Sequence, residues 1–345
     1  MSNTSEEKHL DMTIAVYGAS GFTGGLVVAE LRRRGIPVVA VGRSTDRLQP
    51  LGGDIRVAPL DDPASLAEVF ADCDAVINAA GPFTPTSSVV IRAALTADAH
   101  YVDTSGEYSQ IRDALDDFDA PAKQAGRTVV PGLADDGGPG DLIAALTAAN
   151  IATIDEVLVG DLREPGAASR GTARSMAMIS GVGPLEYLDG TWVAVRDAAE
   201  PVDLPDESVA VTAFPLPGVV TVPRHVAARR IRAVIRSEVA DVFSSLTPDV
   251  VESVPEIVPV EVRRASRWFM YASALGGGRR SDGWVTGPDA YGLTAVIAVE
   301  GALRLARGEA PAGALTPAQA FSPAEFLDAL TPHDVSWQVK GPYEV

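Results

Sequence analysis

The run Gly18-Ala19-Ser20-Gly21-Phe22-Thr23-Gly24 follows directly on a short β-forming stretch, Thr13 to Tyr17, and opens a helical one. A strand that ends in glycines at every third position and turns at once into a helix admits few folds. Gly18 permits a turn that a side chain would block, Gly21 bares the backbone for close approach, and Gly24 lets the helix pack tightly on the sheet. The helix N-terminus then aims unpaired N–H groups and a partial positive charge at whatever lies above the turn, which suits a diphosphate. Gly18, Ser20, Gly21, Phe22, Thr23 and Gly24 are therefore the expected phosphate cradle of a dinucleotide.

The chain beyond the loop repeats the same alternation. A helix from about Phe22 to Arg34 carries Leu26, Val27 and Leu31, ends in three arginines that suit its negative end, and stops at Gly35. Strands are expected at Val38–Val41, Ile55–Ala58, Ala75–Asn78, Tyr101–Asp103 and Thr128–Val130, with helices at Pro63–Phe70, Ser88–Ala97 and around Ile111–Ala125. This is the pattern of an α/β protein with a Rossmann doubly wound parallel sheet and right-handed crossovers, over residues 12–134. A length of 345 residues leaves room for a second domain. DDGGPG at Asp135–Gly140 reads as a hinge or domain boundary before a helix at Asp141–Ala149. Strands at Glu156–Val159, Val209–Thr212, Val219–Val222 and Trp268–Ala272 and a helix at Gly292–Arg307 imply a second α/β (α+β) domain on a mixed or antiparallel sheet. That domain is expected over 135–310, for substrate binding and dimerisation, and residues 311–345, with a helix at Pro323–Leu330, are expected to pack back on the first.

Composition removes several classes of function. Cys73 is the single cysteine, and His9, His100, His225 and His333 form no metal-binding spacing, so neither a disulfide framework nor a metal centre is expected. A net charge of −18 opposes nucleic acid and anionic membranes as partners. No apolar run is long enough to span a membrane, and residues 1–11 read as a disordered polar tail without an export signal, so a cytoplasmic location is expected. The arginines at 224, 229, 230, 232 and 236 stand out in a chain with only Lys8, Lys123 and Lys340. They read either as a charged face balancing nearby carboxylates or as a dock for an anionic substrate or an acyl carrier protein.

The end of the second strand discriminates between cofactors. NAD sites place an acid there for the ribose hydroxyls, whereas this chain has Arg43 and Ser44, whose donors suit the 2′-phosphate of NADP; Asp46 leaves NAD as the alternative. Asp61 is expected beside the adenine, and Asn78, Ala80, Gly81 and Pro82 along the nicotinamide ribose. Hydride transfer needs orientation and a proton more than a nucleophile, so catalytic residues are weakly marked. No lysine follows a tyrosine by four positions, which excludes a Tyr-x-x-x-Lys mechanism. Asp103, Ser105 and Glu107, at the carboxyl end of a strand, and Tyr291 are the substrate-side candidates, with Tyr108, Thr172 and Ser175 behind them.

YGASGFTG (17–24), NAAGPF (78–83), YVDTSGE (101–107) and VPG (130–132) together resemble the saccharopine dehydrogenase-like oxidoreductases. SRGTARS (169–175), VPRH (222–225), GPDAYGLTA (287–295) and PAQAFSPAEFLDAL (317–330) resemble its shorter bacterial branch, which includes trans-acting enoyl reductases. The resemblance implies a Rossmann domain, a second sheet-based domain and NADP-dependent reduction of a C=C or C=N bond in a small or carrier-linked metabolite of secondary or lipid metabolism. It leaves room for a homodimer. The alternative from another class is a non-redox catalyst or binding scaffold that keeps the dinucleotide fold.

Overall fold

The computed structural model describes residues 12–181, 183–204 and 206–345, so the tail expected at 1–11 lies outside the described residues. Strand β1 (Ile14–Tyr17) is buried at every position and pairs in parallel with β2 (Val38–Gly42) on one side and β4 (Ala75–Asn78) on the other. Burial on both faces explains why these strands read as unbroken apolar runs. With β3 (Asp54–Val57), β5 (His100–Asp103) and β6 (Thr128–Val130) the spatial order is β3-β2-β1-β4-β5-β6, all parallel. That is the doubly wound order, with its reversal between β1 and β4. Gly313–Ala314 adds a seventh parallel strand beside β6. The connecting helices include Phe22–Arg33, Pro63–Phe70 and Ser87–Thr96, within a residue or so of expectation.

The chain divides into two compact units. The first comprises the residues up to Ser105 together with Arg112–Ala134 and Thr294–Leu315; the second comprises Gly106–Ile111, Asp135–Leu293 and Thr316–Val345. The C-terminal segment 311–345 is therefore shared rather than docked on the first domain as a whole. Its start extends the parallel sheet, and its end forms an edge strand of the second.

The second sheet is mixed. It contains β7 (Ile154–Asp161), β8 (Leu185–Leu188), β9 (Thr191–Ala194), β10 (Val211–Ala213), β11 (Ala228–Arg236), β12 (Arg267–Gly276), β13 (Arg279–Pro288) and β14 (Ser336–Glu344). Their order is β14-β13-β12-β7-β11-β8-β9, with β10 also paired to β11. Only β7 and β11 run parallel to each other; the other pairs are antiparallel. Strand β11 carries much of the arginine cluster, and its two-residue alternation puts Arg230, Arg232 and Arg236 on one face. Arg230 pairs with Glu186 at 2.7 Å, Arg232 with Glu156 at 2.5 Å and Arg236 with Glu207 at 3.0 Å. For these three the cluster is a balanced charged face.

Two local expectations are corrected. DDGGPG does fall at a unit boundary, which lies before Asp135, but it is not a break in structure: the helix begins at Gly137, runs to Ala148, and takes Asp136 as its N-cap, whose side chain accepts from the Gly137 N–H at 2.7 Å. Pro139 is tolerated because N–H groups in a first helical turn have no partner within the helix. The glycines let the helix lie close on the sheet, since a Cβ at Gly140 would stand 2.9 Å from Met270 Cε. Val219–Val222, expected as a strand, instead forms the helix Gly218–Thr221 and the start of a 3-10 turn, all buried. A four-residue apolar run has no period to distinguish the two.

The wholly buried Asp141 in this helix ties three segments together. Its carboxylate is 2.8 Å from His225 Nε2 and accepts from the Ala318 N–H at 2.9 Å. Burial alone would lower the His225 pKa, but the Asp141 charge outweighs it and the net shift is upward. With His225 raised and Asp141 lowered, the pair's contribution is fully present between the ordinary values of 3.8 and 6.5, and is lost as pH rises through the folded His225 value or falls through that of Asp141. His225→Ala is expected to destabilise the second unit by about 3 kcal/mol, because it leaves a buried carboxylate without its cation. Urea unfolding at several pH values checks this: the wild type should lose stability above neutrality, and the variant should show a smaller loss.

Candidate functional site

The first unit builds its site on the glycine loop. Gly18 has φ +80°, and a Cβ there would lie 2.9 Å from Ala80 Cβ. Gly24 is tighter still, because a Cβ would fall 2.2 Å from the Gly18 carbonyl oxygen. At Gly21 the same addition would meet that oxygen at 3.2 Å. Gly18 and Gly24 are thus demanded by close contact, and a side chain at Gly21 would be tight. Gly21 is the N-cap of the helix Phe22–Arg33, no side chain caps that end, and the first turn holds no acidic residue. The positive helix end is left for an anion.

Arg43 and Ser44 follow β2, beside this loop, and Gly18 and Ala19 both donate to the Val41 carbonyl. Arg43 is exposed, and among the described residues its guanidinium makes no hydrogen bond or ion pair. Tyr17, at the end of β1, feels both Arg43 and Asp61: burial raises its pKa, Arg43 lowers it and Asp61 raises it. The adenosine-side candidates therefore converge. An uncapped helix end beside an unpartnered guanidinium fits a dinucleotide with one extra phosphate.

Asn78, Ala80, Gly81 and Pro82 occupy the end of β4 as expected, but Asn78 is wholly buried and acts as framework. Its Oδ1 accepts from the Ala80 N–H at 3.0 Å, and its Nδ2 donates to Tyr101 Oη at 3.1 Å. Tyr101 in turn donates to Asp103 Oδ2 at 2.8 Å, while Asp103 Oδ1 accepts from the Ser105 N–H at 3.1 Å and the Gly132 N–H at 2.8 Å. Burial, then the Asp103 charge, holds the Tyr101 phenol well above its ordinary pKa. Asp103 and Ser105 are both fully buried. A carboxylate that accepts these hydrogen bonds inside the sheet edge holds the loops after β4, β5 and β6 in place.

The remaining candidates gather in the second unit on the helix Arg170–Ser180. Ser175 Oγ donates to Glu107 Oε1 at 3.0 Å. Tyr291 Oη accepts from the Ser169 N–H at 2.8 Å and shares a hydrogen bond with Thr172 Oγ1 at 2.9 Å. Thr172 and Ser175 are three residues apart and share a helix face, so one helix holds both Glu107 and Tyr291. Tyr108, by contrast, is buried among core residues.

Asp136 was not distinguished by sequence. It lies where a Cβ on Gly106 would meet its Oδ2 at 2.9 Å, one residue from Glu107. Burial, and then the neighbouring Asp135 charge, push the Asp136 carboxyl up to about 7, against the pull of Arg163. Arg163 itself bridges Asp135 and Asp161, each at 2.7 Å. The adjacent pair Asp135-Asp136 was the available signal, since two neighbouring carboxylates resist ionising together. Elsewhere, burial pushes the Cys73 thiol up to about 12 and leaves it unreactive. Among the described residues no group of three or more His, Cys, Asp or Glu side chains is placed to hold a metal ion.

Comparison with known proteins agrees with this geometry. Residues 14–130 match the family model of the saccharopine dehydrogenase NADP binding domain. A lipid droplet localized protein of Caenorhabditis elegans is 35% identical over 146 residues, covering 37% of this chain and 34% of the relative. A trans-acting enoyl reductase of Mycobacterium ulcerans (strain Agy99) is 29% identical over 143 residues, covering 38% and 34%. The matched region thus spans about a third of the length of these relatives. Saccharopine dehydrogenase (L-Glu forming) from Saccharomyces cerevisiae superposes with a TM-score of 0.65 over 95% of this chain and 99% of that one, at 14% identity, and shares the fold. Over residues 14–130 this chain is therefore similar to the saccharopine dehydrogenase NADP-binding family.

Proposed function

We propose that the protein is an NADPH-dependent reductase that delivers hydride to a C=C or C=N bond of a small or carrier-linked metabolite. The observation that carries this reading is the unpartnered Arg43 guanidinium beside an uncapped helix end, in a domain of an NADP-binding family. The glycine loop would hold the diphosphate, and Arg43 with Ser44 the 2′-phosphate. The nicotinamide supplies the hydride when bound. The protein's own task is then to hold the acceptor and provide a proton.

For that proton the reading selects Asp136 over Asp103. Asp103 is consumed by its three donors, whereas Asp136 titrates near neutrality and lies next to the loop that carries Glu107. A group with a pKa near the working pH is both protonated often enough and acidic enough to serve. Glu107 and Tyr291, held by Ser175 and Thr172, would orient the acceptor. The trans-acting enoyl reductases among the relatives favour a C=C acceptor, and the fold shared with saccharopine dehydrogenase favours C=N.

Fluorescence titration with NADPH and NADH tests the cofactor. NADPH should bind more tightly, and Arg43→Ala should weaken NADPH by about 10- to 100-fold while leaving NADH nearly unchanged, the loss of one charge-assisted contact. Equal losses for both cofactors would remove the assignment. Asp136→Asn keeps an N-capping side chain and should leave NADPH affinity intact. With a substrate that supports NADPH oxidation, this variant should lower kcat by about 10²- to 10⁴-fold and abolish the inflection near pH 7.

A further inference from the structure

We infer that the second unit carries a separate binding cavity for an amphiphile with one carboxylate on an apolar chain or ring. The cavity, about 540 Å³, lies beside the loop after β7, the start of β12 and the helix Val260–Ala265. This volume is in the range of small-molecule sites. The inference goes beyond the NADP-dependent reading and does not rest on it.

The apolar part comes from Leu162, Leu204 and Phe269. They join a hydrophobic cluster that includes Val202, Val209, Val234 and Tyr271, yet Leu204 and Phe269 are only partly covered. Val262, on the neighbouring helix, also lines the cavity and is 46% exposed. Apolar surface in this arrangement gains by taking up a hydrocarbon.

The charges select the head group. Arg163 is neutralised by Asp135 and Asp161, and Arg236 by Glu207 at 3.0 Å. Arg267 lines the same cavity, is exposed, and among the described residues has no hydrogen bond or ion pair from its side chain. In a chain with 46 acidic and 28 basic residues, an unpaired guanidinium on an apolar lining would attract an anion that most of the surface repels. Glu164, also on the lining and without an ion pair, opposes a second negative charge and so disfavours a phosphate monoester. One carboxylate on an apolar body satisfies both.

Isothermal titration of the full chain with decanoate, decyl phosphate and decylamine tests this. Decanoate should saturate a single site. Arg267→Glu should weaken it at least tenfold, Arg267→Lys should keep most of the affinity, and Ala265→Trp, which adds a ring at the exposed lining, should weaken it through loss of space. NADPH titration of the same variants should be unchanged, which separates failure of this site from failure of the redox reading. Absence of saturable decanoate binding, an affinity indifferent to Arg267→Glu, decylamine binding as tightly as decanoate, or decyl phosphate binding more tightly than decanoate would each overturn the assignment.

Discussion

The contact between Gly24 and the Gly18 carbonyl is the constraint on which the first unit depends. With hydrogen in place of a side chain, the first helix comes close enough to the end of β1 for a Cβ to fall within 2.2 Å of that oxygen. The approach brings the uncapped helix end over the turn, beside the end of β2 and Arg43. A larger residue would lift the helix and carry its positive end away from the strands. The cofactor site is thus a product of backbone proximity, and its side chains add selectivity afterwards.

A second constraint acts along the same sheet edge. Asn78, Tyr101 and Asp103 form a buried chain of hydrogen bonds that ends on the backbone of Ser105 and Gly132. A charge buried at this depth is tolerable only when its lone pairs are satisfied, so the loops after β4, β5 and β6 must hold their shape. Residues that look chemical in sequence are therefore spent on architecture. Asp136, with its raised pKa, and the hydrogen-bonded Glu107, Thr172, Ser175 and Tyr291 lie instead in the second unit.

The parallel sheet was legible almost residue by residue. Its central strands are buried on both faces and its helices on one, so hydrophobic period, glycine stops and helix-end arginines agree with one another. The second sheet was much less so. Strands β11, β13 and β14 alternate apolar residues with arginine, aspartate, glutamine and lysine, and a run such as ARRIRAVIR draws the eye to its charge before its two-residue period. Its carboxylate partners, Glu156, Glu186 and Glu207, are far away in the chain, so pairing could not be read beforehand. DDGGPG marked the boundary but misled on the helix start: glycine and proline usually mark a turn, yet here they thin the first turn of a buried helix.

What the sequence determined by itself was whatever rests on local rules: a strand, glycine turn and helix that hold a diphosphate, an arginine where NAD sites carry an acid, and an alternation that can only wind as a parallel sheet. Those depend on neighbours a few positions apart, and the chain states them directly. Tertiary structure decided which carboxylate is tied into the framework and which has its pKa raised, because the fold sets the burial and the partners of each. Asp103 and Asp136 are the same side chain in the sequence; three hydrogen-bond donors around one and a neighbouring negative charge beside the other make them chemically different.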